Sequence, residues 1–415
     1  MLWASLLLMS LPTPHSVGRR FKRLARLLIL PLACGHCIAA EAPARVTPVP
    51  DAVRAEFKLA EHYQKFASAG GLPIVASAKV NDAALLEARF LILQMVGHRP
   101  EILEAMAKNK VRFSIMAAGE FTTDIPEHSD LSPKLYWDKR ARGLGATRVR
   151  PAVSCGEENL LGLPGDPYAA ENILIHEFAH AAHQMGVNSL DKTFQGRLLA
   201  AFDAAGKAGL WKNKYAGTNP SEYFAEGAQS WFDTNRENDH DHNHVNTRAE
   251  LRAYDPGLAK LCEEVFGDRE WRYARPAARQ PASPHFAGFD AAKAGKFVWP
   301  KELTEWQEKF RRGEVTMAPA DALALSPHAP DTKNDWRSET GGARAELFFQ
   351  NARKEPVLLF WVDNEGAAHP RGKLRAAEHT RMTSFAGHLF RVTDERTNTL
   401  HYFIVGAKAG SAVIK

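Results

Sequence analysis

The stretch Asn172-Ile173-Leu174-Ile175-His176-Glu177-Phe178-Ala179-His180 contains the pattern on which the interpretation of this 415-residue chain depends. Side chains four residues apart lie on the same face of a helix, so His176 and His180 can reach a single ion. Glu177 then lies beside that ion, where its carboxylate can accept a proton from water. We therefore expect a helix that carries two ligands of one zinc ion and a general base.

This helix and a second one are predicted from the same start signal. Asp166-Pro167, an N-cap residue followed by proline, predicts that the first helix begins there and runs to Gly186. Asn219-Pro220 predicts a second helix that runs through Phe232. A catalytic zinc takes three protein ligands and keeps one position open, so we expect a carboxylate of the later helix to complete the site.

Two carboxylates of the second helix, Glu222 and Glu226, stand four residues apart on one face. The segment from Tyr215 to Glu226 and the HEFAH motif resemble the zinc peptidase domain of anthrax lethal factor, a gluzincin. That domain has an HEF-G-H helix and a later Y-x-x-T-N-x-x-E-F-F-A-E segment. The resemblance covers residues 172–233 and implies that Glu222 is the third ligand and that Tyr215 donates to the zinc-bound oxygen. Glu226 is then expected to orient a ligand histidine through its other ring nitrogen.

Each of these residues also has a simpler interpretation. Glu222 comes three residues after the predicted N-cap and could belong to a capping box. Glu226 could be the ligand in its place, and Tyr215 could be an ordinary loop aromatic. His183 is expected to be an exposed or a core histidine. The run from Asp239 to His244 is expected to be a solvated loop rather than a second metal site.

The N-terminus has the features of a secretory signal. A basic stretch from Arg19 to Arg26 precedes an apolar run from Leu27 to Ala33, and small residues follow at Ala39 and Ala40. We predict a signal segment over residues 1–40 and an exported protein, periplasmic or extracellular. A membrane anchor is the alternative, which the shortness of the apolar run disfavours.

The basic residues of the predicted signal segment account for the positive net charge of the whole chain. The chain has 53 basic and 48 acidic residues and a formal net charge of +5, and five of the basic residues lie in the signal segment. The mature chain is then close to neutral, so we expect no nucleic-acid partner. No later segment approaches the roughly 20 apolar residues of a membrane helix, so we expect a protein that is not membrane-embedded.

Two cysteines, Cys155 and Cys262, lie beyond the signal segment. An even number of cysteines in a chain bound for an oxidising compartment favours a disulfide between them. The alternative is two unrelated buried thiols.

The resemblance to the lethal factor domain implies an α+β zincin-like metallohydrolase domain, and the strand pattern near the C-terminus predicts that a small all-β sandwich domain follows it. We place the metallohydrolase domain at residues 41–272, a linker region at 273–335 and the sandwich at 336–415. The linker has a composition rich in proline, alanine and polar residues, with a helical patch over residues 302–311. The last segment consists of short alternating stretches with glycine breaks, a pattern typical of strands.

Three predictions concern the elements before the motif. Residues 51–96 have a helical pattern that includes an Asn81-Asp82 start signal, and residues 110–118 predict a strand. Residues 124–163 are polar and contain proline and glycine, so we expect mostly loop there.

The C-terminal segment resembles the β domain of the von Hippel–Lindau tumour suppressor. Phe360-Trp361-Val362-Asp363-Asn364-Glu365-Gly366 matches that family's V-W-L-N-F-D-G, and a second match, to S-Y-R-G-H-L-W-L, begins at Ser384. Trp361, Ser384 and His388 match three of five positions that bind a hydroxyproline-containing peptide there. Arg371 and Phe390 replace a Tyr and a Trp, so the resemblance implies an extended-peptide groove without implying hydroxyproline recognition. Alternatively, Trp361 and Phe390 are core aromatics of a sandwich.

These observations favour one function over two others. We expect an exported zinc metallopeptidase that binds one Zn2+, uses Glu177 as its base and acts on a protein or peptide substrate. The C-terminal domain would then bind an extended peptide or a partner. A catalytically silent binding protein is disfavoured because a scaffold needs ligands but no base, and a zinc hydrolase of another substrate stays open.

Overall fold

The computed structural model describes residues 44–415 with the exception of residue 334. The predicted signal segment, residues 1–40, lies outside the described residues. The described chain is a mixture of helices and sheets with a strand-rich C-terminal region. Among the described residues, no helix combines the length and the apolar character that crossing a bilayer requires.

A six-stranded sheet organises the first part of the chain. Its strands are β1 (Thr47–Pro48), β2 (Lys65–Ala69), β3 (Leu72–Ala76), β4 (Arg112–Met116), β5 (Gly143–Leu144) and β6 (Ala152–Gly156). They lie in the order β1-β2-β3-β4-β6-β5, with β3, β4 and β6 parallel and β5 antiparallel to β6 at one edge. Every residue of β3, β4 and β6 is buried, as expected of parallel strands covered on both faces.

Twelve helices are present in the described part of the chain. They are α1 (Asp51–Phe57), α2 (Asp82–Val96), α3 (Pro100–Lys108), α4 (Lys134–Arg140), α5 (Glu157–Leu161), α6 (Ile173–Ala181), α7 (Asn188–Leu190), α8 (Phe194–Lys207), α9 (Pro220–Trp231), α10 (Arg248–Tyr254), α11 (Pro256–Phe266) and α12 (Lys301–Arg311). Helix α6 packs on β6 and on α9, and a π-helical turn continues it over Ala182–Val187. One continuous hydrophobic core joins the sheet to α2, α6, α9 and α11.

The start signals were right for two helices and wrong for one. Asn81 caps α2 by accepting from the amide of Ala83, and Asn219 caps α9. Helix α6, however, begins at Ile173 rather than at Asp166. The Asp166 carboxylate accepts from the amide of Tyr168 at 2.9 Å, so Asp166-Pro167 forms a turn instead of a helix start.

Two other regions of the first part differ from the prediction. Residues 51–96 are helical only at their two ends, because an antiparallel hairpin, β2 and β3, lies between α1 and α2. The strand predicted at 110–118 is β4, but residues 124–163 contain α4, β5, β6 and α5 rather than mostly loop. All five residues of β6 are buried, so the neighbouring prolines and glycines mark turns and not a long loop.

Two four-stranded sheets form the C-terminal region. Their strands are β7 (Leu323–Ala324), β8 (Arg344–Asn351), β9 (Val357–Val362), β10 (Ala368–Leu374), β11 (His379–Phe385), β12 (Leu389–Thr393), β13 (Thr399–Ile404) and β14 (Gly410–Ile414). One sheet has the order β10-β9-β12-β13 and the other β11-β8-β14-β7. Both contribute to a second hydrophobic core, separate from the first, in which Phe349 and Phe403 are fully buried.

Residues 273–335, predicted as a linker, are packed rather than free. Glu87 of α2 has no exposed surface. Its carboxylate forms an ion pair with Arg279 and lies 2.7 Å from Nε2 of His285. Phe286 and Phe289 pack on the first core. The predicted helical patch is α12. Composition alone does not reveal these anchors, because a few well-placed aromatic and charged residues suffice to hold a polar segment.

Candidate metal centre

Three donor atoms from α6 and α9 converge on one point. Nε2 of His176 lies 3.2 Å from Nε2 of His180 and 3.2 Å from Oε2 of Glu222, and Nε2 of His180 lies 3.3 Å from that oxygen. Zinc binds nitrogen and oxygen ligands at about 2.0–2.1 Å in a tetrahedral arrangement, which places neighbouring donors about 3.3–3.4 Å apart. The observed triangle therefore has the size that zinc requires.

The local structure of each helix explains why the donors meet. His176 and His180 lie one turn apart on α6, which places both rings on the same face. On α9, Oδ1 of Asn219 accepts from the amides of Ser221 and Glu222 at 2.9 and 3.0 Å. The Glu222 side chain is therefore not needed as a capping group, and its carboxylate contacts the two imidazoles instead.

Glu226 lies behind His176 rather than among the donor atoms. Its Oε1 is 3.5 Å from Nδ1 of His176, and its Oε2 is 3.2 Å from Nε2 of His242 and 3.1 Å from Nδ2 of Asn235. The structure thus brings Glu222, and not Glu226, to the point where the imidazoles meet.

Gln229, which the sequence analysis did not identify, is the nearer partner of His176. Its Oε1 lies 2.8 Å from Nδ1 of His176, while its Nε2 donates to Glu171 at 3.0 Å. A carboxylate only accepts, so this second bond sets the orientation of the amide. Nδ1 of His176 must therefore donate, so Nε2 is the ring nitrogen that could bind a metal. Gln229 lies two helical turns after Glu222, a spacing that could have revealed it.

His180 is held in the same way. Its Nδ1 lies 2.9 Å from Oγ of Ser221, which also accepts from Nε2 of Gln184 at 3.0 Å. His176 and His180 thus each have Nδ1 engaged by a neighbouring side chain and Nε2 directed at Glu222. Such contacts fix the orientation of the two rings.

The charges of the three donors are strongly coupled. Burial lowers the pKa of His176, but the hydrogen bond with Glu222 and the carboxylates of Glu177 and Glu226 outweigh burial and raise that pKa to about 10. Burial raises the pKa of Glu222, but hydrogen bonds from His176 and His180 hold it well below its ordinary value. A proton therefore stabilises this cluster, and a divalent cation would compete for the same position.

Glu177 and Tyr215 lie beside the three donors. Both line two adjoining cavities of about 300 and 220 Å3. Burial raises the pKa of Glu177, which makes its carboxylate a better proton acceptor than an exposed glutamate. Burial and then the charge of Glu222 raise the pKa of Tyr215, so its phenol stays protonated. The Tyr215 ring stacks on His176 with centroids 6.4 Å apart.

Arg140, at the end of α4, is a second residue that sequence reasoning missed. It lines both cavities together with Glu177 and Tyr215. No local motif marks it, because it reaches the site through the course of the chain from α4 into β5, which lies beside α6.

The remaining histidines near the motif have clear positions. His183 is buried and contacts Oε1 of Gln195 at 2.9 Å through Nε2, so it is a core histidine as expected. The loop at residues 239–244 is only partly solvated: His242 is buried and contacts Glu226, whereas the side chain of His240 is 79% exposed. Within the described residues, the ligand atoms of His176, His180 and Glu222 lie close enough together to hold one ion, and the side chains of this loop form no such group.

The three candidate residues of the C-terminal region lie close together. Oγ of Ser384 is 2.9 Å from Nδ1 of His388, and the rings of His388 and Trp361 have centroids 5.4 Å apart. Arg371 lies over the Trp361 ring at 5.3 Å. Phe390 is a core residue, only 2% exposed, while Trp361 packs at the border of that core.

The predicted disulfide is not present. Cys155 and Cys262 are both free thiols without exposed surface. Cys155 belongs to β6, which packs on α6, whereas Cys262 belongs to α11, which packs on α8, α9 and α10. The two residues occupy different layers of the core, where each behaves as a small apolar side chain.

Comparisons with known proteins leave the site to be interpreted on its own geometry. No protein-family model matches the chain, and no curated protein is significantly similar to it.

Proposed function

We propose that this chain is an exported zinc-dependent hydrolase, a metallopeptidase with a zincin-like fold similar to the catalytic domain of anthrax lethal factor. The observation that carries the proposal is the triangle of donor atoms with sides of 3.2, 3.2 and 3.3 Å, next to a carboxylate that is not part of it. A structural zinc site is usually closed by four protein ligands, whereas three ligands leave a position for reaction.

The donor set supports zinc as the ion. His176, His180 and Glu222 would hold it through two imidazole nitrogens and one carboxylate oxygen, a combination typical of catalytic zinc. When bound, zinc lowers the pKa of a coordinated water and polarises a carbonyl group.

Glu177 supplies the base. Burial raises its pKa and so favours uptake of a proton, and it lies one residue after His176 on α6. In the proposed reaction Glu177 accepts a proton from the attacking water and passes it to the leaving amine nitrogen.

Tyr215 supplies a hydrogen-bond donor. Its phenol stays protonated, and it lines both cavities together with Glu177. In the proposed reaction Tyr215 stabilises the carbonyl oxygen on which negative charge develops.

The strand beside the site supports a peptide as substrate. β5 is the outer strand of its sheet, so one of its edges can pair with an extended chain. It also lies close to α6, because a Cβ added to Gly143 would come within 2.5 Å of Ile173 and 3.0 Å of Glu177. A peptide added to β5 would therefore run past Glu177.

The C-terminal region completes the proposal. We assign it a β-sandwich fold similar to the von Hippel–Lindau β domain and a role in holding an extended peptide or a partner. Trp361 supports this role, because its Nε1 is buried and has no hydrogen-bond partner among the described residues. A ligand carbonyl would satisfy it.

Metal analysis and peptide cleavage test the proposal together. The full chain, purified, stripped with a chelator and reloaded, should hold one zinc per chain and cleave members of a mixed peptide library only when loaded. His176→Ala should lose both properties, while His240→Ala, a matched histidine of the neighbouring loop, should keep both. Zinc binding without cleavage of any peptide would contradict the peptidase assignment, and cleavage that survives metal removal would contradict the zinc mechanism.

A further inference from the structure

The larger of the two cavities beside the donor cluster is lined by Arg140. Within the described residues Arg140 has no carboxylate at ion-pair distance, and its charge interacts with Tyr136 first and then with Tyr215, Glu177 and Tyr168. The last three of these residues line the same cavity. An arginine that lines a cavity without being held in an ion pair can bind the anionic group of a ligand.

Two other arginines line the cavity, and both are paired: Arg142 forms an ion pair with Glu158 at 2.6 Å. Arg236 lies 3.3 Å from Glu171 and 3.3 Å from Asp239, and 3.9 Å from Asp241. Its charge is therefore already balanced. Arg140 and Arg236 thus have different roles in the same cavity, one available to a ligand and one part of the wall.

The acidic residues of the cavity wall are also engaged. Glu171 accepts from Gln229 in addition to Arg236, and Asp241 accepts from Arg375 at 2.8 Å. Glu226 is occupied by His242 and Asn235. These three carboxylates are therefore not available to Arg140. Glu177 is the fourth carboxylate of the cavity wall.

The cavity has the size and position of a side-chain subsite. Its volume of about 300 Å3 lies at the lower end of the range for ligand pockets, enough for one side chain rather than a large cofactor. It includes His176 and Glu177 in its wall, so its occupant would be adjacent to the bond that is cleaved. Tyr168 and Ile173 border the apolar part of the space.

We propose that Arg140 binds a substrate carboxylate next to the scissile bond, so that the enzyme prefers acidic peptides. The carboxylate can come from an aspartate or glutamate side chain or from the C-terminus of a short peptide. The proposal rests on the peptidase function proposed above and adds the substrate class to it.

Matched peptides test the proposal and separate its two sources. One pair of peptides differs only by Glu or Gln beside the cleavage site, and a second pair differs only by a free or an amidated C-terminus. Because a hydrogen bond between a guanidinium and a carboxylate is charge-assisted and can be bidentate, zinc-loaded wild type should cleave one acidic member at least about tenfold more efficiently in kcat/KM than its neutral partner. The pair that discriminates identifies the source.

Variants of Arg140 show whether this residue is responsible. Arg140→Gln should reduce the preference to within about twofold, Arg140→Lys should keep part of it, and Arg148→Ala should leave it unchanged. Arg148 is an exposed arginine on the loop after β5, so it controls for the general loss of positive charge. Both peptides of a pair are cleaved by the same variant, so the ratio of their kcat/KM values does not depend on any effect of the substitution on Glu177. The zinc content verifies the folding of each variant.

The two proposals fail in different ways. Equal cleavage of both members of both pairs by the wild-type enzyme would overturn the role of Arg140 and leave the peptidase function intact. A preference that persists in Arg140→Gln would also overturn it. Absence of any cleavage by the zinc-loaded enzyme would instead contradict the proposed function.

Discussion

The metal centre and the cluster around Trp361 contain similar residue types, yet they are built differently. At the metal centre, His176 and His180 each have one nitrogen held by an amide or hydroxyl and the other directed at Glu222. At Trp361, the neighbouring His369 and His388 contact it mainly through ring packing. Three donor atoms at one point can bind an ion, whereas stacked rings at a sheet border can only offer a surface.

The comparison indicates that the convergence of donor atoms distinguishes the candidate metal centre from the aromatic cluster. All three donors belong to helices, and Gln229 and Ser221 orient the two imidazoles. In the Trp361 cluster, His388 is held by Ser384 and His369 by Asp363 at 2.7 Å, but within the described residues no three ligand atoms converge there, and the Trp361 indole has a buried donor without a partner. We therefore expect large effects from substitutions in the first region and small ones in the second.

The largest effect is expected from Glu177→Gln. The change keeps the shape of the side chain but removes its ability to take up a proton, so kcat should fall by about 10²- to 10⁴-fold while zinc content stays at one per chain. Peptide turnover and metal analysis on the same preparation measure both. Glu263→Gln, a substitution at an exposed position of α11, is the control, and wild-type turnover by the Glu177 variant would refute the role of this residue.

Gln229→Ala should weaken zinc binding. Without the acceptor for Nδ1 of His176, the ring loses its fixed orientation, and the zinc affinity should fall by about 10- to 100-fold. A competition titration against a chelator gives the dissociation constant. Gln195→Ala removes the corresponding partner of His183, which is not a donor of the site, and should leave the affinity unchanged. Equal losses in both variants would mean that Gln229 acts only through stability.

Arg375→Ala tests whether the two regions are linked. Arg375 of the C-terminal region pairs with Asp241 at 2.8 Å, and the carbonyl of Asp241 accepts from the amide of Tyr215 at 2.8 Å. Removal of the pair should loosen Tyr215 and lower kcat on the order of tenfold with little change in zinc content. Arg381→Ala breaks the pair with Glu346 inside the C-terminal region and should leave kcat unchanged. A change in KM alone would contradict this link.

The smallest effect on hydrolysis is expected from His388→Ala. This residue is remote from the donors, so cleavage of short peptides should stay within about twofold of wild type. Binding of longer peptides, measured by fluorescence anisotropy with the zinc-loaded Glu177→Gln chain as background, should weaken if the cluster holds a ligand. Tenfold slower cleavage of short peptides would contradict the separation of the two regions.

The sequence reveals the parts of the site that depend on local spacing. The four-residue interval between His176 and His180 and the Asn219-Pro220 start signal are local, and the structure places both as predicted. The Asp166-Pro167 signal was misleading, because the same residues can form a turn whose side chain accepts from the backbone. The same residue types can therefore begin a helix or form a turn, and the burial of the segment decides which of the two structures forms.

Features that depend on tertiary packing could not be predicted. Arg140 lines the site because the chain segment after α4 leads into β5, which lies beside α6. Gln229 was missed although it lies two helical turns after Glu222 on α9. The pairing of β5 with β6 joins segments that the sequence presents as one polar loop. The predicted disulfide between Cys155 and Cys262 was wrong for the same reason, because an even number of cysteines carries no information about the distance between β6 and α11.

X-ray absorption spectroscopy at the zinc edge of the reloaded full chain tests the central claim most directly. We expect a first shell of light atoms at about 2.0–2.1 Å, with the outer-shell scattering of two imidazole rings. The imidazole contribution should disappear in His176→Ala/His180→Ala, in which any residual zinc is bound elsewhere. A first shell that contains sulfur at about 2.3 Å, or one without imidazole in the wild-type chain, would contradict the assignment of His176, His180 and Glu222 as zinc ligands.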